Sequence, residues 1–227
     1  MFARISTSFA EFPGIFGESD PKGGAPIRVN LNEFSYKKGA EIFGEKEPAD
    51  YVYQVATGAV RSYKLLSDGR RQIGAFHLVG DIFGLEIGTE HRFTAEAIID
   101  TTVRLLKRRS LELVAESDAK VARNLLSMTT SNLRHAEDHM LLLGRKTSLE
   151  RVAAFLIEMD HRSTAAGILA LPMCRRDIAD YLGLTLETVS RALSRLHDLG
   201  ILNFIGNNQR QIVLRDRDKL ASYDLQH

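Results

Sequence analysis

The side chains best suited to chemistry in this chain stand in one short run, Leu186-Glu-Thr-Val-Ser-Arg191. A glutamate accepts from the cytosine amino group, an arginine donates two bonds to a guanine edge, a serine bonds several base edges, and an apolar side chain touches a thymine methyl. Leu186, Glu187, Ser190 and Arg191 therefore read as base-contacting residues for a DNA major groove. That chemistry needs them on one exposed helix face. Val189, Ala192, Leu193 and Leu196 recur at helical spacing and supply the opposite, buried face.

The elements that must position them lie on either side. Ile178 and Leu182 fall on one face of a preceding helix, and Ala179 is small enough for a second helix to cross close by. Gly183 supplies the permissive backbone of a tight turn, Leu184 plugs the corner, and Thr185 caps the second helix. This is the helix-turn-helix pattern. The competing reading is an ordinary helical hairpin with a solvated charged face, against which the glycine, the small residue, the apolar set and the polar set all agree. Downstream, residues 201–205 and 211–214 read as strands around Gly206-Asn-Asn-Gln209, a hairpin that makes a wing. Arg175, Arg176, Thr185, Thr188 and Arg195, with Asn207, Asn208 and Arg210 of the wing, are expected at the sugar–phosphate backbone.

The run Glu187-Thr-Val-Ser-Arg191 after Ile178-Ala-Asp-Tyr-Leu-Gly-Leu184 closely resembles the signature of the cyclic-AMP receptor protein and fumarate–nitrate reductase regulator superfamily. The version here resembles its FixK branch, which controls microaerobic and nitrogen-fixation genes. The resemblance covers nearly the whole chain. It implies a jelly-roll sensor domain, a homodimer, a TTGA…TCAA-like palindromic site and contact with bacterial RNA polymerase. The polymerase contacts it implies are the turn of Ser67, Asp68 and Gly69 and the loop of His161, Arg162, Ser163 and Thr164.

The remainder of the chain fits an α+β arrangement of 227 residues. We expect a flexible lead-in over 1–26, a β-roll over 27–110, a dimerisation helix and hinge over 111–145, and a winged helix-turn-helix over 146–227. Between 28 and 108 the sequence runs in short strand-like stretches punctuated by glycine, with Ser67-Asp-Gly-Arg70 as a hairpin turn. Residues 118–143 switch to helical period. Ala122, Leu126, Thr129, Leu133, Ala136, Met140 and Leu143 form a heptad seam suited to a two-helix coiled coil. A helix packed on its own domain is the other reading of that seam. Dimerisation is preferred, because a helix-turn-helix protein reading a palindrome needs a two-fold axis. Gly144-Arg-Lys146 is expected to break the helix.

Hydrophobic content of 44% and charged content of 26% are ordinary for a globular protein. A net charge of +1 is low for a nucleic-acid binder, so the basic surface must be local, built from Arg175, Arg176, Arg191, Arg195 and Arg210. A single cysteine fits a reducing cytoplasm, and no long uncharged apolar run suggests a membrane span or a secretory signal.

No cofactor is expected. One cysteine falls short of an iron–sulfur ligand set. Gly80-Asp-Ile-Phe-Gly-Leu-Glu86 followed by Arg92-Phe-Thr94 departs from the phosphate-binding pattern of nucleotide-binding relatives in the order Gly-Leu-Glu and in Phe93 after the arginine. His77 and His91 read as surface or satisfied histidines rather than haem ligands, and His135 and His139 as part of a solvated helix face rather than a metal site. Cys174, at a helix start and followed by Arg175 and Arg176, reads either as a reactive thiol beside a DNA phosphate, where oxidation adds a repelling charge, or as inert packing. The alternatives to an effector-free activator are a regulator gated by a cyclic nucleotide or haem, a repressor, and a cupin-type metal enzyme with an appended DNA module.

Overall fold

The computed structural model describes residues 4–8, 31–162, 167–206 and 209–223. Residues 1–3 and 9–26 of the expected lead-in, and Ser163, Thr164, Asn207 and Asn208, lie outside the described residues, whereas residues 4–8 of it are not a flexible lead but a strand paired with residues 31–34. The chain divides into two compact units, residues 1–65 with 74–134 and residues 66–73 with 135–227.

Among the described residues, nine strands form the first part of the chain: β1 (Arg4–Ser8), β2 (Leu31–Tyr36), β3 (Glu41–Phe43), β4 (Tyr51–Thr57), β5 (Val60–Leu65), β6 (Arg71–His77), β7 (Ile82–Phe83), β8 (Thr94–Ala97) and β9 (Thr101–Lys107). They build two sheets of strand order β1-β2-β9-β4-β7 and β3-β8-β5-β6. Tyr36, Phe43, Tyr53, Val55, Val60, Phe83, Ala95, Ala97 and Val103 make one apolar cluster, as expected for a roll. Phe43, Tyr53 and Phe83 stack within it at ring separations of 5.0 to 6.0 Å. The turn between β4 and β5 requires glycine. Gly58 has φ +90, and a Cβ there would sit 2.4 Å from Thr101 Oγ1. That hydroxyl in turn meets the backbone of Ala59 at 3.1 Å, so turn and neighbouring strand lock together.

Two helices follow, α1 (Arg108–Ser117) and α2 (Ala119–Arg145). Helical structure thus begins ten residues before the periodic stretch at 118–143. Asp118 separates the two with extended backbone, φ −124 and ψ 104, and its carboxylate accepts from Lys120 N at 2.8 Å. α2 ends at Arg145, within the expected break at Gly144-Arg-Lys146, and Gly144 itself remains helical. A glycine costs a helix only about 1 kcal/mol relative to alanine. The end is secured instead by Arg151, whose guanidinium donates to the carbonyls of Leu143 at 2.8 Å and Lys146 at 2.9 Å.

The second unit holds α3 (Ser148–Arg162), β10 (Leu169–Ala170), α4 (Arg175–Leu182), α5 (Leu186–Asp198), β11 (Leu202–Ile205), β12 (Gln211–Leu214) and α6 (Arg217–Ser222). The three strands pair in the order β10-β12-β11. The β11–β12 hairpin is the expected wing. β10 and α6 were not foreseen; two residues of strand and six of helix are too short to display a period.

Candidate nucleic-acid interface

α4 and α5 meet as the sequence pattern requires. Gly183 is left-handed, φ +62 and ψ +38, and the next amide, Leu184 N, donates back to Ala179 O at 3.0 Å. Ile178, Ala179 and Leu182 of α4 and Val189, Ala192, Leu193 and Leu196 of α5 are all buried. Burial of each larger aliphatic side chain contributes about 1.5–3 kcal/mol. The opposite side of α5 is open: Glu187, Arg191 and Arg195 are exposed, and Leu186, Thr188 and Ser190 half-exposed. Thr185 caps the helix, accepting from Thr188 N at 3.2 Å, and its hydroxyl also lies 3.0 Å from that of Thr188. Their first role is therefore to close the helix start. The Glu187 carboxyl is held below the usual range by a backbone amide and the Thr185 hydroxyl, with the charges of Arg176 and Arg191 adding to this. It therefore stays ionised and acceptor-only.

Arg175 and Arg176 diverge. Arg176 is exposed. Arg175 turns to the wing, donating from Nη2 to Gln209 Oε1 and lying 5.6 Å from the centre of the Phe204 ring. Arg210 is half-buried on the wing, with its carbonyl accepting from Leu171 N at 2.9 Å.

Cys174 sits immediately before α4 and is half-buried. The charged group within hydrogen-bond distance of it is a carboxylate. Its Sγ donates to Asp177 Oδ2 at 3.1 Å, and its backbone N donates to the same oxygen at 3.1 Å. Asp177 is only 3% exposed. Its other oxygen accepts from Arg71 Nη2 at 2.7 Å, and Arg71 also donates from Nε to Asp180 at 2.9 Å. The Cys174–Asp177 contact has the three-residue spacing of a capping box, a signal carried by the local sequence. The Arg71 contact, at a separation of 106 residues, carries no local signal.

The supporting scaffold overturns another expectation. His135 and His139 do not lie on a solvated face. His135 Nε2 is 2.9 Å from Glu158 Oε1, which Arg162 also reaches at 3.0 Å, while Tyr181 OH donates to Glu158 Oε2 at 3.2 Å. The His139 ring stacks on Tyr181 at 4.1 Å. The Glu158 hydrogen bond raises the His135 pKa against the opposing effect of burial. Burial pushes the Glu158 carboxyl up, but His135 and Arg162 together bring it below the usual range. Burial, with the His135 charge, lowers His139.

Along α2 the seam residues differ in their surroundings. Leu126, Leu133 and Met140 are 68%, 58% and 65% exposed, and Thr129 and Ala136 are also open. Ala122 is half-buried. Leu143 is half-buried in its own unit, its Cδ2 within 3.5 Å of where a Cβ on Gly183 would be, so it serves the intrachain core as well. Leu141, 59% exposed, widens the open apolar strip and was missed by a strict heptad. Val121 and Leu125 pack instead with Val52, Leu106 and Leu111.

In the roll, Arg92 pairs with Glu86 at 3.2 Å and is largely exposed. His77 bonds Ser62 at 2.8 Å. His91 is neither on the surface nor satisfied: it is 1% exposed, stacked on Phe43 at 3.6 Å, and neither ring nitrogen has a partner among the described residues. Ser67, Asp68 and Gly69 form an exposed turn closed by Arg70 on Asp68, His161 is exposed, and Arg162 is held by Glu158. No group of three or more His, Cys, Asp or Glu able to hold a metal occurs among the described residues, and no described helix is long and apolar enough to cross a membrane.

Residues 150–223 match the Crp-like helix-turn-helix domain family and residues 33–118 the cyclic nucleotide-binding domain family. The chain is 43% identical over 185 residues to the nitrogen fixation regulation protein FixK of Rhizobium meliloti, covering 82% of this chain and 84% of that one. It is also 43% identical to the FixK of Azorhizobium caulinodans, over 83% of this chain and 77% of the other. The solved structure of FixK2 from Bradyrhizobium japonicum matches with TM-score 0.84 and 69% identity, covering 88% of this chain and all of that one. The chain belongs to the FixK branch of the cyclic-AMP receptor protein and fumarate–nitrate reductase regulator superfamily. As a member of that branch it is a transcription regulator with a DNA-binding helix-turn-helix, and not an enzyme, which sets aside the cupin alternative.

The His135–Glu158 pair makes a pH-dependent contribution to this regulator. A raised histidine pKa gives stability that is present below its ordinary value of 6.5 and lost as pH rises through the folded value. A lowered glutamate pKa gives stability present above its ordinary value of 4.5 and lost as pH falls through the folded value. His135→Gln should therefore lower the melting temperature most at about pH 5–6, with the deficit shrinking toward pH 8. A deficit that is flat from acid to alkaline pH in calorimetry would show the pair to be electrostatically neutral.

Proposed function

We propose that the chain is a homodimeric activator that binds a TTGA…TCAA-like palindrome and needs no small-molecule effector. The observation that carries the reading is the division of α5 into a buried apolar face and an open face bearing Leu186, Glu187, Ser190 and Arg191. Arg176, Arg195 and the wing flank that face with the positive charge a phosphate backbone requires. The names of the FixK relatives point to nitrogen-fixation genes as targets. RNA polymerase is the further partner, through the exposed turn at Ser67, Asp68 and Gly69 and the surface at His161.

Effector independence is supported by the roll itself. Its Arg92 is tied to Glu86 near the surface, and aromatic rings stack through its interior. Dimerisation is supported by the open strip of Leu126, Leu133, Met140 and Leu141, too apolar to be left to water along a helix of 27 residues. The Cys174 thiol acts as a brake. Two equivalents of peroxide convert it to a sulfinic acid with release of two waters, and the ionised product carries a new negative charge. That charge faces Asp177 at hydrogen-bond distance and repels DNA phosphate at the start of α4.

Three measurements test this reading. Arg191→Ala should weaken operator binding by about 1–3 kcal/mol and relax selectivity at one base pair per half-site; equal affinity of the parent for palindrome and scrambled duplex would refute base readout. Leu133→Asp should shift the protein to monomer in sedimentation experiments and abolish operator binding, because it buries an unpaired charge in the helix seam. A Cys174→Asp protein should bind poorly and Cys174→Ser should bind and ignore peroxide. Peroxide inhibition that survives in Cys174→Ser would remove the thiol from the regulation.

A further inference from the structure

The wing carries a side chain that base readout leaves without a task. Gln209 is exposed, and its backbone is left-handed at φ +52. L-residues other than asparagine and aspartate seldom adopt that conformation, and strain of this kind persists where the particular side chain is wanted. Gln209 Oε1 accepts from Arg175 Nη2. The same guanidinium lies over Phe204 at 5.6 Å from the ring centre, within cation–π range. Phe204 in turn stacks on His197 of α5 at 5.6 Å and 20°. Arg175, the first residue of α4, thus meets Phe204 of β11 and Gln209 of the wing loop, with His197 of α5 behind Phe204.

We propose that Gln209 and Phe204 are positioning residues that hold Arg175 in place for a DNA phosphate before DNA arrives, so that the start of α4 and the wing grip the backbone together. The proposal rests on the reading of this face as the DNA interface. The chemistry suits the task. A guanidinium has five N–H donors in a planar fork, and a neutral amide that occupies one of them orients the group while leaving its charge intact. A long arginine side chain held in advance loses less rotamer freedom on binding than one that is free. Glycine at 209 would relieve the backbone strain but delete the acceptor. Glutamate would keep the acceptor but neutralise the arginine.

The test is fluorescence anisotropy of full-length protein on a labelled palindromic duplex across a series of KCl concentrations, with thermal melts of every variant. Arg175→Ala should weaken binding and make the slope of log K against log salt shallower by about one charge per subunit. Gln209→Gly should weaken binding about three- to tenfold with the salt slope preserved and the melting temperature undiminished. Gln209→Glu should weaken binding and flatten the slope as Arg175→Ala does. Phe204→Leu, which keeps wing packing but removes the ring face, should weaken binding about two- to fivefold. Neither Gln209→Gly nor Phe204→Leu should add to the loss when placed in the Arg175→Ala background. Parental affinity in Gln209→Gly, or the same loss with and without Arg175, overturns the positioning role. Unchanged affinity and salt slope in Arg175→Ala instead overturns the placement of Arg175 at the phosphate, whatever the Gln209 variants do.

Discussion

The contact between α4 and α5 is governed by one backbone conformation, the left-handed residue at Gly183. With φ positive there, the chain reverses within three residues, and the apolar faces of two short helices close on each other. A side chain at 183 would meet an unfavourable backbone as well as Leu143 and Arg151, each within 4 Å. The open face of α5 exists only because its other face is consumed in this way. A helix of eight residues such as α4 has little stability alone, so its direction comes from its neighbours.

Those neighbours are partly electrostatic. Asp177 is buried and ionised groups in that position need several partners. It has the Cys174 amide, the Cys174 thiol and the Arg71 guanidinium. Tyr181, one turn along, carries its hydroxyl to Glu158, which also receives His135 and Arg162. The first helix of the motif is therefore pinned at both ends by carboxylates, one on α4 itself and one on α3. Cys174 therefore touches the first of these pins through both its amide and its thiol.

α2 serves two masters. Val121 and Leu125 bind it to the roll cluster, His135, His139 and Leu143 bind its far end to the helix-turn-helix unit, and the strip between is apolar and open. The same helix thus buries different residues in each unit and leaves Leu126, Leu133, Met140 and Leu141 exposed.

The open polar face of α5, the turn glycine, the β11–β12 hairpin and the apolar strip of α2 were legible in the sequence because each is local. Residue type and a period of two or 3.6 suffice to state which side faces inward, and Gly183 or Asp68-Gly69 name their own turns. What the sequence could not state depends on groups far apart in the chain. His135 and His139 are spaced like exposed helix residues, and only the packing of α3 and α4 against them makes them half-buried partners of Glu158 and Tyr181. Arg175 and Arg176 look alike in sequence, yet the wing claims one and leaves the other open. Cys174 followed by two arginines suggested a cationic setting, while the tertiary fold set Asp177 against the thiol and drew Arg71 in from a hairpin over a hundred residues away. Local spacing determines which face of a helix is apolar; the partner of a polar group is decided by whichever distant element arrives within about 3 Å, and that is a property of the fold alone.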